Sequence, residues 1–148
     1  MRLELSIVIV NWNTSSLVQD CLRSVFASRS AAAQEVIVVD NASTDDSPAR
    51  IRSAWPAVRL IQNQRNVGFA AANNQGIAAS VARYILLLNS DTLVPPEALA
   101  QLGSERFPLE GVTSRRFGLT DVDLGMECVG GRGVPGVMHA SLMPWLAG

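Results

Sequence analysis

The sequence has no lysine; all twelve of its basic residues are arginines. Chemistry that depends on a Schiff-base amine or a phosphate-gripping lysine is therefore excluded. Glycine is also missing until Gly68. The turn after the first apolar run thus cannot be a GxGxxG dinucleotide fingerprint or a phosphate-cradling P-loop, which excludes a nicotinamide dehydrogenase and a P-loop NTPase. The two cysteines, Cys21 and Cys128, stand far apart without metal-ligand spacing. That pattern fits a reducing compartment and no cysteine-type metal cage. A net charge of −1 offers no general attraction to nucleic acid or an anionic surface. Long hydrophobic runs are absent too. The opening "LSIVIV" is too short for a signal or membrane segment, so a cytoplasmic protein is expected.

What is present is a packed α/β pattern. Of 148 residues, 48% are hydrophobic and 17% charged, which suits a chain with a real core. Four short runs, Leu5–Val10, Val36–Val39, Val58–Ile61 and Tyr84–Leu88, are aliphatic or β-branched and too short for helices, so they predict buried strands. Between the first two, Leu17, Val18, Cys21, Leu22, Val25 and Phe26 form one helical stripe. "STDDSPARIRSAW" opens with capping residues and sets Pro48 in a first-turn position. The alanine-rich "GFAAANNQGIAASVA" is helix-compatible, although Gly76 weakens it. Alternation of this kind predicts βαβ units: a parallel sheet with helices on both faces.

Ligands of open parallel sheets bind beyond the carboxyl ends of the strands. The four runs are followed by Asn11-Trp12-Asn13-Thr14, Asp40-Asn41-Ala42-Ser43, Asn63-Gln64-Arg65-Asn66 with Gly68, and Asn89-Ser90-Asp91. Each taken singly reads most simply as a turn, because Asn, Asp and Ser are turn residues. Their coincidence on one edge argues for a site. Asp91 near a diphosphate needs a divalent cation between them, and Mg²⁺ or Mn²⁺ takes one or two carboxylates plus phosphate oxygens. Asp40 suits hydrogen bonds from a base or ribose, and Arg65 suits phosphate charge. Trp12 fits either stacking on a base or packing against the sheet, whereas Cys21 falls on the core stripe.

The ordered stretches "LSIVIVNWNTSSLVQDCLRSV", "EVIVVDNASTDDS", "QNQRNVGFAAANNQGI" and "YILLLNSDTLVPPEAL" resemble the successive motifs of family 2 glycosyltransferases, the inverting group, with rhamnosyltransferase-like bacterial members nearest in character. The resemblance covers roughly residues 3–102 and implies the Rossmann-like GT-A nucleotide-diphospho-sugar transferase fold. It places Asn11 and Asn13 beside the nucleotide, and Asp40 and Asn41 at its base or ribose. Arg65, Gly68 and Asn74 would line the donor pocket. Asn89, Ser90 and Asp91 would occupy the DXD position, with Asp91 on a Mn²⁺ or Mg²⁺ ion and Asn89 in place of the first acid. The implied partners are a UDP- or dTDP-sugar donor and a saccharide or lipid-linked acceptor in polysaccharide assembly. Such acceptors would bring a cytoplasmic chain to the inner face of the membrane.

From Gly103 onward most of the glycines gather, and Pro108, Pro135 and Pro144 break the patterns. "GLTDVDLG" resembles the family's later acidic motif, which makes Asp121, then Asp123, the expected general base. His139 resembles a later histidine that reaches the metal or diphosphate. Little chain separates the DXD position from the acidic motif. The expectation is therefore a nucleotide-sugar-binding half over 1–103 and a shortened acceptor half over 104–148. A homo-oligomer is one way to replace the surface so lost. The alternative is a donor-binding remnant without turnover. A receiver-type signalling module ranks far lower, because it needs a lysine and an acidic cluster at the first strand end.

Overall fold

A computed structural model describes residues 3–30, 33–101 and 140–144, the last as backbone. The chain runs β1 (Leu5–Asn11), α1 (Ser15–Ala27), β2 (Gln34–Asp40), α2 (Ser47–Ala54), β3 (Arg59–Gln62), α3 (Phe69–Ala79), β4 (Tyr84–Asn89), α4 (Ala98–Gln101) and β5 (Ala140–Pro144). All four expected strands form, each within a residue or two of its apolar run, but β3 at the sheet edge is exposed or half-buried rather than buried.

The sheet order is β3-β2-β1-β4-β5. The pairings β1–β2, β1–β4 and β2–β3 are parallel, as the βαβ pattern requires. Right-handed crossovers explain the layers. Moving from β1 outward to β3 puts α1 and α2 on one face. Returning from β3 past β1 to β4 puts α3 on the other. The core divides accordingly. Val18, Cys21, Leu22, Val25 and Ile51 pack with Ile7, Ile9, Val36, Val38, Leu86 and Leu88. Ala72 packs with Val8, Ile37, Val39, Ile85 and Leu87 on the opposite face. Each fully buried aliphatic side chain contributes about 1.5–3 kcal/mol, so the double-sided centre of the sheet is where stability concentrates.

Gly76 explains its own presence in α3. A Cβ there would lie 2.3 Å from Val8 Cγ1 and 3.4 Å from Val39 Cγ2. The residue that weakens the helix on propensity alone is what allows α3 to approach β1 and β2.

Two elements depart from the sequence reading. A short α4 follows the two prolines, and β5 pairs antiparallel with β4, setting Leu88 opposite Ala140 and Tyr84 opposite Pro144. The sheet is therefore parallel through four strands and closed by an antiparallel edge strand drawn from the second expected segment. Five residues including Ser141 and Pro144 carry no alternation to read. Pro144 is tolerated because it ends an edge strand, where a ladder N–H is dispensable.

Candidate functional site

Register brings the polar strand ends into one row. Asn11 lies opposite Asp40, Asp40 opposite Gln62, and Asn89 opposite Val10. β1 lies between β2 and β4, where the strand order reverses: the connection from β1 to β2 crosses one face through α1, and the connection that arrives at β4 crosses the other through α3. That is the topological switch point, where the carboxyl edge of an open α/β sheet opens into a crevice.

Asn11 is the hub. It is fully buried, and its Nδ2 donates to Asp40 Oδ1 and Ser47 Oγ, both at 2.8 Å, with Ser43 Oγ at 3.2 Å. Its Oδ1 accepts from Thr14 Oγ1 at 2.7 Å. The Thr14 and Ser90 hydroxyls are in turn hydrogen-bonded at 3.1 Å. One continuous chain of hydrogen bonds therefore runs from the end of β4 through β1 to β2. Asp40 is 0% exposed, and both its oxygens are engaged: Ser43 Oγ donates to Oδ1 at 2.6 Å and the Ser43 amide to Oδ2 at 3.0 Å. In this conformation its carboxylate closes the turn after β2, and that turn carries Ala42 in the left-handed region at φ 65°.

The loops after β1 and β2 interlock further. Asn13, exposed and left-handed at φ 51°, accepts the Thr44 amide on Oδ1 at 2.7 Å and the Asp45 amide at 3.3 Å. Its own amide donates to Ser43 Oγ at 2.9 Å. Asp45 receives the Ser15 amide at 3.0 Å, the Ser47 amide at 3.0 Å and the Ser47 hydroxyl. Burial raises the Asp45 carboxyl pKa, but the Ser47 hydroxyl and the two amides outweigh it and leave the group below its ordinary value. Trp12 is left 53% exposed after β1.

Asn41 extends the network to the β3–α3 loop. Its Nδ2 donates to Asn66 Oδ1 at 2.8 Å and the Gly68 carbonyl at 3.2 Å, while its Oδ1 accepts the Val67 amide at 2.9 Å. Gly68, at φ 88°, opens α3 in a conformation that a side chain would strain. Arg65 and Asn74 are exposed, whereas Asn73 is buried and donates to the Phe69 carbonyl at 3.0 Å.

The β4 end looks different. Asn89 and Ser90 are half-buried and Asp91 is exposed. Among the described residues, no cluster of three His, Cys, Asp or Glu side chains could cage a metal. Mg²⁺ and Mn²⁺ commonly use one carboxylate with phosphate and water oxygens, so a lone exposed Asp91 fits such an ion. Asp121, Asp123 and His139 lie outside the described residues. Asp45 and Ser47 were not expected to belong to the site, and Thr14 and Ser43 stood in its strand-end stretches without a role of their own. The "STDDS" run was the visible signal for Ser43, Asp45 and Ser47, and it read as helix capping.

A family profile described as Glycosyl transferase family 2 matches residues 6–104. The chain belongs to this family. It is similar to the succinoglycan biosynthesis protein ExoO of Rhizobium meliloti, 34% identical over 100 residues that cover 67% of this chain and 28% of ExoO. Its fold is that of GT-A glycosyltransferases. The S. aureus TarS 1–349 structure in complex with UDP superposes with a TM-score of 0.59 at 21% identity, over 65% of this chain and 30% of that one. The mannosyltransferase PcManGT from Pyrobaculum calidifontis, in complex with GDP-Man and Mn²⁺, gives 0.57 at 24% identity, over 64% and 29%. The chain thus spans under a third of the length of each. No helix among the described residues is long and apolar enough to cross a membrane.

Proposed function

We propose that this chain carries the donor site of an inverting, metal-dependent glycosyltransferase. Its reaction moves a sugar from a nucleoside-diphosphate sugar to an acceptor hydroxyl in cell-surface polysaccharide synthesis. The observation that carries the reading is the single hydrogen-bonded row of strand ends at the switch point, from which one carboxylate, Asp91, emerges into solvent. Membership in a glycosyltransferase family supports it, as do GT-A neighbours solved with UDP and with GDP-Man and Mn²⁺.

In this reading Asp91 would hold a divalent ion, which would supply positive charge against the diphosphate of the donor. Trp12 offers its exposed ring face to a base, and Arg65 its guanidinium to phosphate. The Asn11–Asp40 knot keeps the walls of the nucleotide pocket rigid, leaving less ordering to be done on binding. Asp121, or else Asp123, removes the acceptor proton as the acceptor oxygen bonds to the anomeric carbon. The carbon–oxygen bond to the diphosphate breaks on the opposite side, its electron pair leaving with the phosphate, and the configuration inverts.

Calorimetric titration with UDP-, dTDP- and GDP-sugars, with and without Mn²⁺, tests the donor site. Binding is expected to strengthen with Mn²⁺. In Asp91→Ala that gain should fall by more than about tenfold, the loss of one charged contact of roughly 1.5–3 kcal/mol. Equal binding by both proteins would remove Asp91 from the site, and no binding by either would refute the donor reading.

A further inference from the structure

The segment that leaves β4 has few partners of its own. Beyond Asn89 it leaves the parallel ladder, the Thr92 amide makes a turn bond to the Asn89 carbonyl at 3.1 Å, and Pro95 and Pro96 have no N–H to donate. Yet this segment carries Asp91. Its fastenings come from one side of α1. Cys21, Ser24 and Ser28, spaced three and four apart, share a face of that helix, with Thr14 one heptad earlier at its N-terminus.

Each of these short side chains meets the segment at a successive point. Thr14 bonds to the Ser90 hydroxyl at 3.1 Å. Cys21 Sγ, fully buried, lies 3.6 Å from the Asn89 carbonyl and accepts the Thr92 amide. Ser24 Oγ accepts the Val94 amide at 2.9 Å and donates to the Cys21 carbonyl at 2.7 Å. Ser28 Oγ meets the Pro95 and Pro96 carbonyls at 3.0 and 3.1 Å, and the Arg29 amide donates to the Pro96 carbonyl at 2.7 Å. Asp91 is thus held between attachments on both sides, at Asn89–Ser90 before it and Thr92–Val94 after it.

We propose that Cys21 and Ser24 are positioning residues for Asp91, and that the short polar stripe of α1 sets where the metal-holding carboxylate stands at the sheet edge. The proposal rests on the donor-site reading for its functional consequence, but the pinning itself does not. Longer side chains on this stripe would push the segment away, and purely apolar ones would take the Ser24 acceptor from the Val94 amide, leaving the Pro95 and Pro96 carbonyls only the Ala98 and Arg29 amides.

The test compares Ser24→Ala with Ser24→Thr, which keeps the hydroxyl. Hydrogen exchange of the Thr92 and Val94 amides reads the pinning directly. Ser24→Ala should speed Val94 exchange by about fivefold, the factor of one lost hydrogen bond, while amides of β1 and β2 stay unchanged. In calorimetry with UDP and GDP as probes, Ser24→Ala should lose about fivefold of the Mn²⁺-dependent gain and keep its metal-free affinity, and Ser24→Thr should restore both readouts. Unchanged Val94 exchange in Ser24→Ala would overturn the pinning. Faster exchange with an undiminished Mn²⁺ gain would overturn the positioning role. A native chain with no Mn²⁺ gain would refute the donor reading, and the exchange result would still decide whether the stripe holds the segment.

Discussion

β2 and β4 run parallel on either side of β1, and each delivers an aspartate to the same edge of the sheet. On the β2 side Asp40 is sealed: no part of it reaches solvent, and Asn11, the Ser43 hydroxyl and the Ser43 amide use its oxygens. On the β4 side Asp91 stands exposed on a segment fastened by its neighbours rather than by its own carboxylate. The comparison separates building from acting. A carboxylate whose oxygens are taken by donors of its own chain shapes the edge, and one left free can meet a cation or a ligand. The same residue type, last in β2 and two residues past the end of β4, therefore has opposite energetics.

The sharpest way to break that contrast is Asp40→Ala. It leaves the half-buried Ser43 amide without its acceptor and takes one of three acceptors from the buried Asn11 side-chain amide, and donors left unpaired are costly. A loss of about 3 kcal/mol in urea unfolding is expected, a large part of the stability of a domain this size. Asp91→Ala should stay within about 0.5 kcal/mol of the native chain, as exposed substitutions do. Equal losses from the two would erase the distinction.

Gly76→Ala comes next and isolates the footing beneath Asp40 from its polar contacts. Alanine improves helix propensity by about 1 kcal/mol. Its methyl would sit 2.3 Å from Val8 Cγ1 and 3.4 Å from Val39 Cγ2, and a β-branched valine on a central strand has little room to yield. Overpacking costs typically 1–3 kcal/mol, so a net loss of up to about 2 kcal/mol is expected in the same unfolding experiment. A stabilised Gly76→Ala would mean that α3 can move off the sheet. In that case the β2 side would be less rigid than the buried knot implies.

The contrast between the two aspartates was only half visible in the sequence. The strands were legible because β-branched runs such as "IVIV" and "VIVV" need burial on both faces, and α1 because its apolar stripe is continuous. The polar ends were legible as a coincidence on one edge. Which aspartate would be sealed was not, since "VVDNAS" and "LLNSDT" look alike locally. The difference lies in Asn11, remote in sequence, which strand register brings opposite Asp40, and in Ser43, which turns back onto the carboxylate three residues on. Cys21 read correctly as core, but the use of Cys21, Ser24 and Ser28 as a row of fastenings was hidden, because short polar residues on a helix mark no partner. β5 was invisible for a similar reason: an edge strand contributes one row of backbone bonds and needs no alternation to do so.

Asp45 provides the mildest test, since it sharpens the β2 side without deleting a buried group. The Ser47 hydroxyl and the amides of Ser47 and Ser15 favour its charged form, and against burial they lower its folded pKa below the unfolded value of 3.8. A carboxyl shifted in that direction contributes stability that is fully present above the unfolded pKa and fades as pH falls through the folded one. The urea midpoint of the native chain should therefore drop as the pH falls below about 4 by more than that of Asp45→Asn, whose neutral amide cannot titrate. At pH 7 Asp45→Asn should be modestly less stable, and the two midpoints should converge in acid. Parallel curves would show that the interlock of the β1 and β2 loops draws nothing from the Asp45 charge, and the rigidity of that side would then rest on Asn11 and Asp40 alone.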